Sequence, residues 1–199
     1  NVDNVTEEDA YLGYVRVIKG AVENRCPLLL QMSPKPAPVE QRLWQEGVHV
    51  RQSDLKVWDR RLFSAICSDK DKLVGWEEWV RRLLDQVYVY GDSRVLTGLA
   101  TGMEMLEPRG FSDLSEAVKS STEGFQFLMS HGIIPLPVHP AAAVGRQLPV
   151  DLFLEVDCSW YETWYFYRMG EPNGFNVGPG RNRFPHSAAF DVGRGARLR

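Results

Sequence analysis

The chain has 199 residues, which is enough for one domain with a substantial hydrophobic core. Its hydrophobic fraction of 44% and its charged fraction of 25% are ordinary for a soluble globular protein. The formal net charge of −3 excludes a general electrostatic attraction to nucleic acid, and the apolar runs are far shorter than the roughly 20 residues that a membrane span needs.

Apolar residues recur at helical or strand spacing along most of the chain, and turn residues separate these runs. Thr6 and the three acidic residues after it predict the start of the first helix. Helices are predicted over residues 7–23, 39–46, 59–67, 75–90, 113–130 and 151–168, and strands over residues 27–32, 48–52, 94–100 and 133–138. Lys70, Asp71 and Lys72, between the third and fourth helices, are predicted to form a solvated loop.

Strands that alternate with helices predict parallel βα units with right-handed crossovers. Such units form either an open doubly wound sheet or an arc of a (β/α) barrel, and the lack of a Gly-rich phosphate loop weakens the nucleotide-binding doubly wound alternative. The sequence therefore favours a partial barrel of about four parallel strands over residues 1–169, followed by an irregular Gly-, Pro- and Arg-rich arm over residues 170–199. An arc leaves two strand edges and an apolar inner face that something else has to cover.

The cysteines Cys26, Cys67 and Cys158 are odd in number and lie far apart. This pattern argues against a disulfide framework, and no pair has metal-ligand spacing. We expect a reducing compartment, either the cytoplasm or an organelle matrix or stroma. The chain begins with Asn1 rather than Met, so we expect that a preceding stretch has been removed or lies outside this sequence.

Gly98, Gly102 and Glu104 follow one another at the spacing Gly-x-x-x-Gly-x-Glu near the end of the third predicted strand. Glycines at a strand end allow a backbone or a ligand to approach closely. A carboxylate just beyond that end lies where α/β folds bind their ligands. The alternative is that the glycines relieve crowding and that Glu104 is solvated. For His131 and His139, which flank the fourth strand, capping or loop roles are favoured over metal ligation.

Four stretches taken together resemble the later part of a radical S-adenosylmethionine (SAM) enzyme barrel, over roughly residues 6–168. They are the strand and Pro-rich turn at residues 27–34, the stretch at 46–67, the Gly98, Gly102 and Glu104 motif, and the helix and strand at 123–140. The resemblance implies a SAM pocket lined by Ser53, Gly98, Gly102 and Glu104. A bulky residue at Gly102 is then expected to abolish SAM binding without unfolding the chain.

Two features of the radical SAM pattern are missing from this sequence. Those enzymes hold a [4Fe–4S] cluster with three cysteines, usually C-x-x-x-C-x-x-C, and no such triplet occurs here. The Gly-Gly-Glu motif expected after the second strand is also missing, so we expect the first two βα units to be absent. Lys56 stands where related sequences often have a carboxylate, and its charge would repel the SAM amino group.

Two functions of different classes follow from this pattern. The first, which the sequence favours, is a non-catalytic structural or accessory subunit of a larger complex, with no cofactor of its own. The second is the SAM-binding and substrate-closing part of a radical SAM enzyme, whose cluster-bearing part is on another chain or in a preceding stretch. In either case another protein chain is expected to cover the open side of the barrel, and RNA binding by the arm is a minor third alternative.

Aromatic residues are concentrated in the last predicted helix and recur in the arm. Trp160, Trp164 and Tyr165 cover more than one helical face, which is typical of either a core helix or a partner-binding face. Phe175, Arg181 and Phe184 belong to the arm, which is predicted to lie extended on a surface. These six residues are the predicted partner contacts.

Overall fold

The computed structural model describes residues 6–23, 25–106, 108–139 and 148–169. Its helices are α1 (Glu7–Ala21), α2 (Ala37–Gln45), α3 (Arg60–Ile66), α4 (Ser68–Leu73), α5 (Trp76–Tyr90), α6 (Leu114–Ser130) and α7 (Val150–Tyr167). Its strands are β1 (Leu28–Gln31), β2 (Val48–Gln52), β3 (Val95–Ala100) and β4 (Ile133–Val138). Within the described ranges, no helix is both long enough and apolar enough to cross a bilayer.

Every predicted helix and strand is present within a few residues of its expected bounds. The capping signals explain several of the starts, because Thr6 accepts a hydrogen bond from the Asp9 amide at 3.2 Å and Asp59 accepts one from the Leu62 amide at 2.8 Å. The predicted loop around Lys70 is wrong, since this stretch forms helix α4. The predicted arm at residues 170–199 lies outside the described residues.

The four strands form one parallel sheet in the order β1-β2-β3-β4. This order confirms the predicted α/β class and the parallel pairing. The described sheet contains no reversal of strand order, which is the feature that creates the binding crevice of a doubly wound fold. The sheet does not close on itself, so β1 and β4 remain its two edges.

The chain itself covers both faces of the sheet at β3 and β4. Neighbouring residues of a strand point to opposite faces, and Val95 and Leu96 are both 0% exposed. Ile133 and Ile134 show the same pattern in β4. The expectation of an exposed apolar inner face therefore does not hold at β3 and β4, whereas Leu28–Gln31 of β1 is only partly buried and the two strand edges remain open in the described residues.

A buried ion pair joins the sheet to its helices. Arg51 of β2 and Glu40 of α2 are both 0% exposed, and the Arg51 Nε donates to the Glu40 carboxylate at 2.7 Å. Gln86 and Tyr90 of α5 donate to the same carboxylate at 2.7 and 3.2 Å. Burial raises the pKa of Glu40, but the hydrogen bond and charge of Arg51 outweigh it, so this pKa lies below its usual value. The network fixes α2 and α5 on one face of β2.

Candidate functional site

A one-residue bulge interrupts β2 pairing at the carboxyl end of the strand. The Ser53 amide donates to the Leu96 carbonyl oxygen at 2.9 Å, and regular pairing would next use residue 55. Instead, the Lys56 amide donates to the Gly98 carbonyl oxygen at 2.8 Å. The extra residue is accommodated because Lys56 adopts the left-handed backbone conformation, with φ of +82°. The bulge brings the Asp54 carboxylate against β3.

The Asp54 carboxylate collects four donors at this edge. Its Oδ1 accepts from the Gln52 side chain at 2.9 Å and from the Gly98 amide at 3.0 Å. Its Oδ2 accepts from the Gln31 side chain and from Lys56 Nζ, both at 3.0 Å. Burial raises the pKa of Asp54, but the charge of Lys56 and these donors lower it by a larger amount. The pKa of Asp54 therefore lies below its usual value. We call Gln31, Gln52, Asp54 and Lys56 the Asp54 cluster.

A cleft of about 490 Å³ opens beside the Asp54 cluster, at the carboxyl ends of β1 and β2. This is the edge at which parallel α/β folds bind their ligands. Apolar wall residues include Leu73, Val74 and Trp79, and the charged lining residues are Glu7, Lys35, Asp54, Lys70 and Arg82. The volume lies within the range of small-molecule sites.

Within the described ranges, Lys70 of α4 is the charged residue lining the cleft that forms no ion pair. Its Nζ lies 4.6 Å from the centroid of the Trp79 ring and donates to the Asp54 main-chain oxygen at 2.5 Å. In the described part of the chain Lys70 forms no ion pair, whereas Lys35 pairs with Glu7 at 2.6 Å. Burial, together with the charge of Lys56, lowers the pKa of Lys70. The cleft therefore holds a partly desolvated ammonium group that has no direct carboxylate contact in the described residues.

Two residues of the predicted SAM pocket are engaged within this framework. A Cβ on Gly98 would lie 2.8 Å from Asp54 Oδ1, so the group that approaches this glycine closely is a carboxylate of the same chain. Ser53 is 0% exposed, donates to the Met32 carbonyl oxygen at 2.8 Å and accepts from the Gln86 side chain at 3.2 Å. Its hydroxyl is thus used inside the core.

Glu104 is buried rather than solvated, with 4% of its surface exposed. It lies in the short 3₁₀ turn Met103–Met105 after β3, and it accepts hydrogen bonds from Ser120 at 2.8 Å and Ser121 at 3.2 Å. The Asp59 amide donates to it at 3.3 Å. The carboxylate therefore joins the start of α3 to α6, and burial raises its pKa despite these donors.

Gly102 has a structural requirement of its own. Its φ is +87°, and a Cβ at this position would lie 2.2 Å from Leu148 Cδ1. Any larger residue is strained in this backbone conformation and must also displace Leu148. The expectation that a bulky residue here leaves the chain folded stays a prediction, although such a variant is destabilised whether or not it binds SAM.

We expect Glu104→Gln to be neutral or stabilising at neutral pH. The folded-state pKa of Glu104 lies above its ordinary value of 4.5, so the folded chain binds more protons than the unfolded chain just above that pH. The contribution of Glu104 to the free energy of unfolding therefore falls as pH rises through that window. The amide of Glu104→Gln does not ionise, so the variant does not lose this contribution. Urea unfolding of both proteins between pH 4.5 and 8 measures the difference. A variant that becomes relatively less stable as pH rises would contradict the prediction.

The aromatic residues of α7 divide between core and surface. Trp160 and Trp164 are 2% and 5% exposed, and Trp160 Nε1 donates to the Pro135 carbonyl oxygen at 2.7 Å. These two predicted partner contacts are instead core residues of this chain, because they pack α7 against the sheet. Tyr165 is 69% exposed. The other three predicted contacts, Phe175, Arg181 and Phe184, lie outside the described residues.

His139 follows β4 and has an acidic partner that sequence spacing does not reveal. Its Nε2 lies 3.1 Å from Asp157 of α7, eighteen residues later, and both side chains are buried. His131 caps α6 through a contact between its Nδ1 and the Phe127 carbonyl oxygen at 2.7 Å. Within the described ranges, no group of three or more His, Cys, Asp or Glu residues is placed to hold a metal ion.

Sequence reasoning missed Asp54 and Lys70, the two residues that shape the cleft. Asp54 carried a signal, because it follows a β-branched strand directly and is the first carboxylate at that carboxyl end. Lys70 carried none, since a Lys-Asp-Lys run is normally a solvated surface. Only the tertiary packing of α4 on Trp79 brings its ammonium group into the cleft.

No family model matches this sequence, and a search of curated proteins found no match to it. The resemblance to radical SAM barrels therefore rests on the sequence motifs alone and stays a prediction.

Proposed function

We propose that this chain is the later part of a radical-SAM-like (β/α) barrel and contributes the ligand-binding edge to a larger assembly. Another chain, or another stretch of the same protein, supplies the remaining strands and any [4Fe–4S] cluster. The strand order β1-β2-β3-β4 supports this proposal, because consecutive parallel strands are the pattern of a barrel arc. The two unpaired edges of the described sheet are the places where further strands would join.

The Asp54 cluster carries the proposal. Burying a carboxylate and an ammonium group is unfavourable, and a scaffold gains little from it, since apolar residues of similar volume usually stabilise at least as well. Here Asp54 and Lys70 are partly buried at the edge where parallel α/β folds bind ligands. A ligand-binding role explains why charged groups occupy that position.

The cysteines of this chain do not fit a [4Fe–4S] cluster. Cys26 precedes β1, Cys67 lies between α3 and α4, and Cys158 is in α7, so the three thiols come from separate elements. We therefore derive no chemical step through a cluster on this chain. Its residues can bind and orient a ligand, with Asp54 holding the two glutamine amides and Lys56 in fixed positions.

A non-catalytic structural subunit is the second candidate, and a specific observation favours it. Ser53 and Glu104, two of the four residues that the resemblance assigns to SAM, use their polar groups within the chain. A SAM pocket built from them would have to break those bonds. Under this alternative, the open strand edges bind a partner and the cleft has no ligand.

We expect the purified chain to bind SAM through the Asp54 edge and to take up no stoichiometric iron–sulfur cluster. Equilibrium dialysis measures SAM binding, and anaerobic iron and sulfide analysis after reconstitution measures the cluster. Asp54→Ala removes the acceptor that organises the cluster and should weaken SAM binding by about tenfold or more. The exposed Asp69→Ala on α4 is the matched control and should bind SAM as the wild type does. No SAM binding by the folded wild-type chain would favour the structural subunit, and near four irons per chain would overturn both.

A further inference from the structure

The cleft beside the Asp54 cluster has an excess of positive charge that comes from one residue. Lys35 is paired with Glu7, and Arg82 is paired with Glu78 at 2.7 Å. The Asp54 carboxylate is likewise paired, with Lys56 at 3.0 Å. Once these pairs are set aside, Lys70 remains. Within the described residues, the direct contacts of its ammonium group are a main-chain oxygen and the face of Trp79.

In the described residues the Asp54 carboxylate forms no direct ion pair with Lys70. Its two oxygens already accept from Gln31, Gln52, Lys56 and the Gly98 amide, which fills the acceptor sites of a carboxylate. Burial and the charge of Lys56 lower the pKa of Lys70, and the charge of Asp54 offsets this lowering only in part. An anion bound in the cleft would provide a direct counter-charge.

The wall next to Lys70 is apolar and exposed. Leu73 lies one helical turn after Lys70 on the same side of α4, and it is 83% exposed. Val74 and Trp79 continue this surface into the cleft. A ligand whose anionic group contacts Lys70 therefore meets an apolar surface with the rest of its body.

We propose that this cleft binds a small amphipathic anion, with a carboxylate or phosphate group on Lys70 and an apolar body against Leu73 and Val74. The binding step stands on the geometry of the cleft alone. The further statement that this cleft is a substrate site rests on the function proposed above, because the carboxyl edge of the sheet would then belong to a completed barrel. The cleft volume of about 490 Å³ admits a ligand of this size.

Calorimetric titration of the purified chain at constant ionic strength tests this proposal. Hexanoate and phenyl phosphate are the amphipathic probes, and acetate and inorganic phosphate are their counterparts without an apolar body. We expect the amphipathic probe of at least one pair to bind more tightly than its counterpart, and the pair that binds identifies the anionic group. Leu73→Ala should reduce that preference. Lys70→Met should weaken binding by about tenfold or more, because it removes a charge-assisted hydrogen bond.

The exposed Lys72→Met on the same helix is the matched control, with the same loss of charge, and should bind the probes as the wild type does. Thermal melting establishes that each variant is folded, and Lys70→Gln serves as a second variant if the Met side chain perturbs α4. If Lys72→Met weakens probe binding as much as Lys70→Met does, the attraction is non-specific and the proposal is overturned. Wild-type affinity in both Lys70 variants would also overturn it, and so would the absence of any probe binding. Probe binding without SAM binding would support this inference and contradict the proposed function. SAM binding without probe binding would support the proposed function and contradict this inference.

Discussion

Arg51→Met should lower the free energy of unfolding by about 3–5 kcal/mol, because it leaves the buried Glu40 carboxylate without its cation. Arg51 also donates to the Leu30 main-chain oxygen at 2.5 Å, so the variant loses a tie between β1 and β2. Methionine fills most of the vacated volume, which limits the cavity contribution. Urea unfolding at pH 7, followed by circular dichroism, measures the change.

The pH dependence of stability provides an independent check on this ion pair. Because the folded-state pKa of Glu40 lies below its ordinary value of 4.5, its contribution is fully present above that pH and is lost as pH falls through the folded-state pKa. Arg51→Met should therefore lose less stability than the wild type on acidification. The exposed Arg81→Met, at a surface pair on α5, should change stability far less than Arg51→Met does, because solvent screens that pair. Equal effects of the two substitutions would show that burial of the Arg51 pair carries no special weight.

The helices and strands were predictable from sequence because each has both a periodic apolar pattern and a local terminus signal. The helix over residues 75–90 illustrates this, since its apolar stripe is bounded by Gly75 and Gly91, which both have positive φ in the structure. Helix α4 was missed because it is six residues long and has no buried residue. A pattern method needs an apolar face, and α4 does not have one.

The candidate site was less predictable because it depends on contacts between distant residues. The spacing of Gly98, Gly102 and Glu104 correctly marked a crowded strand end, but it did not reveal what fills that space. The bulge at Lys56 has no signal in the sequence, because the left-handed conformation is unusual for lysine. Without the bulge, the Asp54 side chain would not reach the Gly98 amide. The sequence alone therefore could not show which residues meet at this site.

Gly98→Ala should destabilise the chain by about 1–3 kcal/mol, the usual effect of adding a methyl group to a well-packed site. The added Cβ would lie 2.8 Å from Asp54 Oδ1 and 2.9 Å from its Cγ, so the carboxylate has to leave its position. Its departure leaves the Gly98 amide and the Gln52 side chain without their acceptor. Gly13→Ala in α1 is the matched control, because nothing lies within 4 Å of its added Cβ, and it should be neutral or stabilising.

A double-mutant cycle with Asp54→Ala separates the steric effect from the lost hydrogen bonds. If Asp54 is the group that resists the added methyl, the double variant should be more stable than the sum of the two single effects predicts, by about 1–2 kcal/mol. The same displacement should weaken ligand binding in Gly98→Ala, since the Asp54 cluster and the cleft share this carboxylate. Urea unfolding of the four proteins measures the coupling. Strict additivity would mean that Gly98 and Asp54 act independently, and would remove the explanation offered here for a glycine at the end of β3.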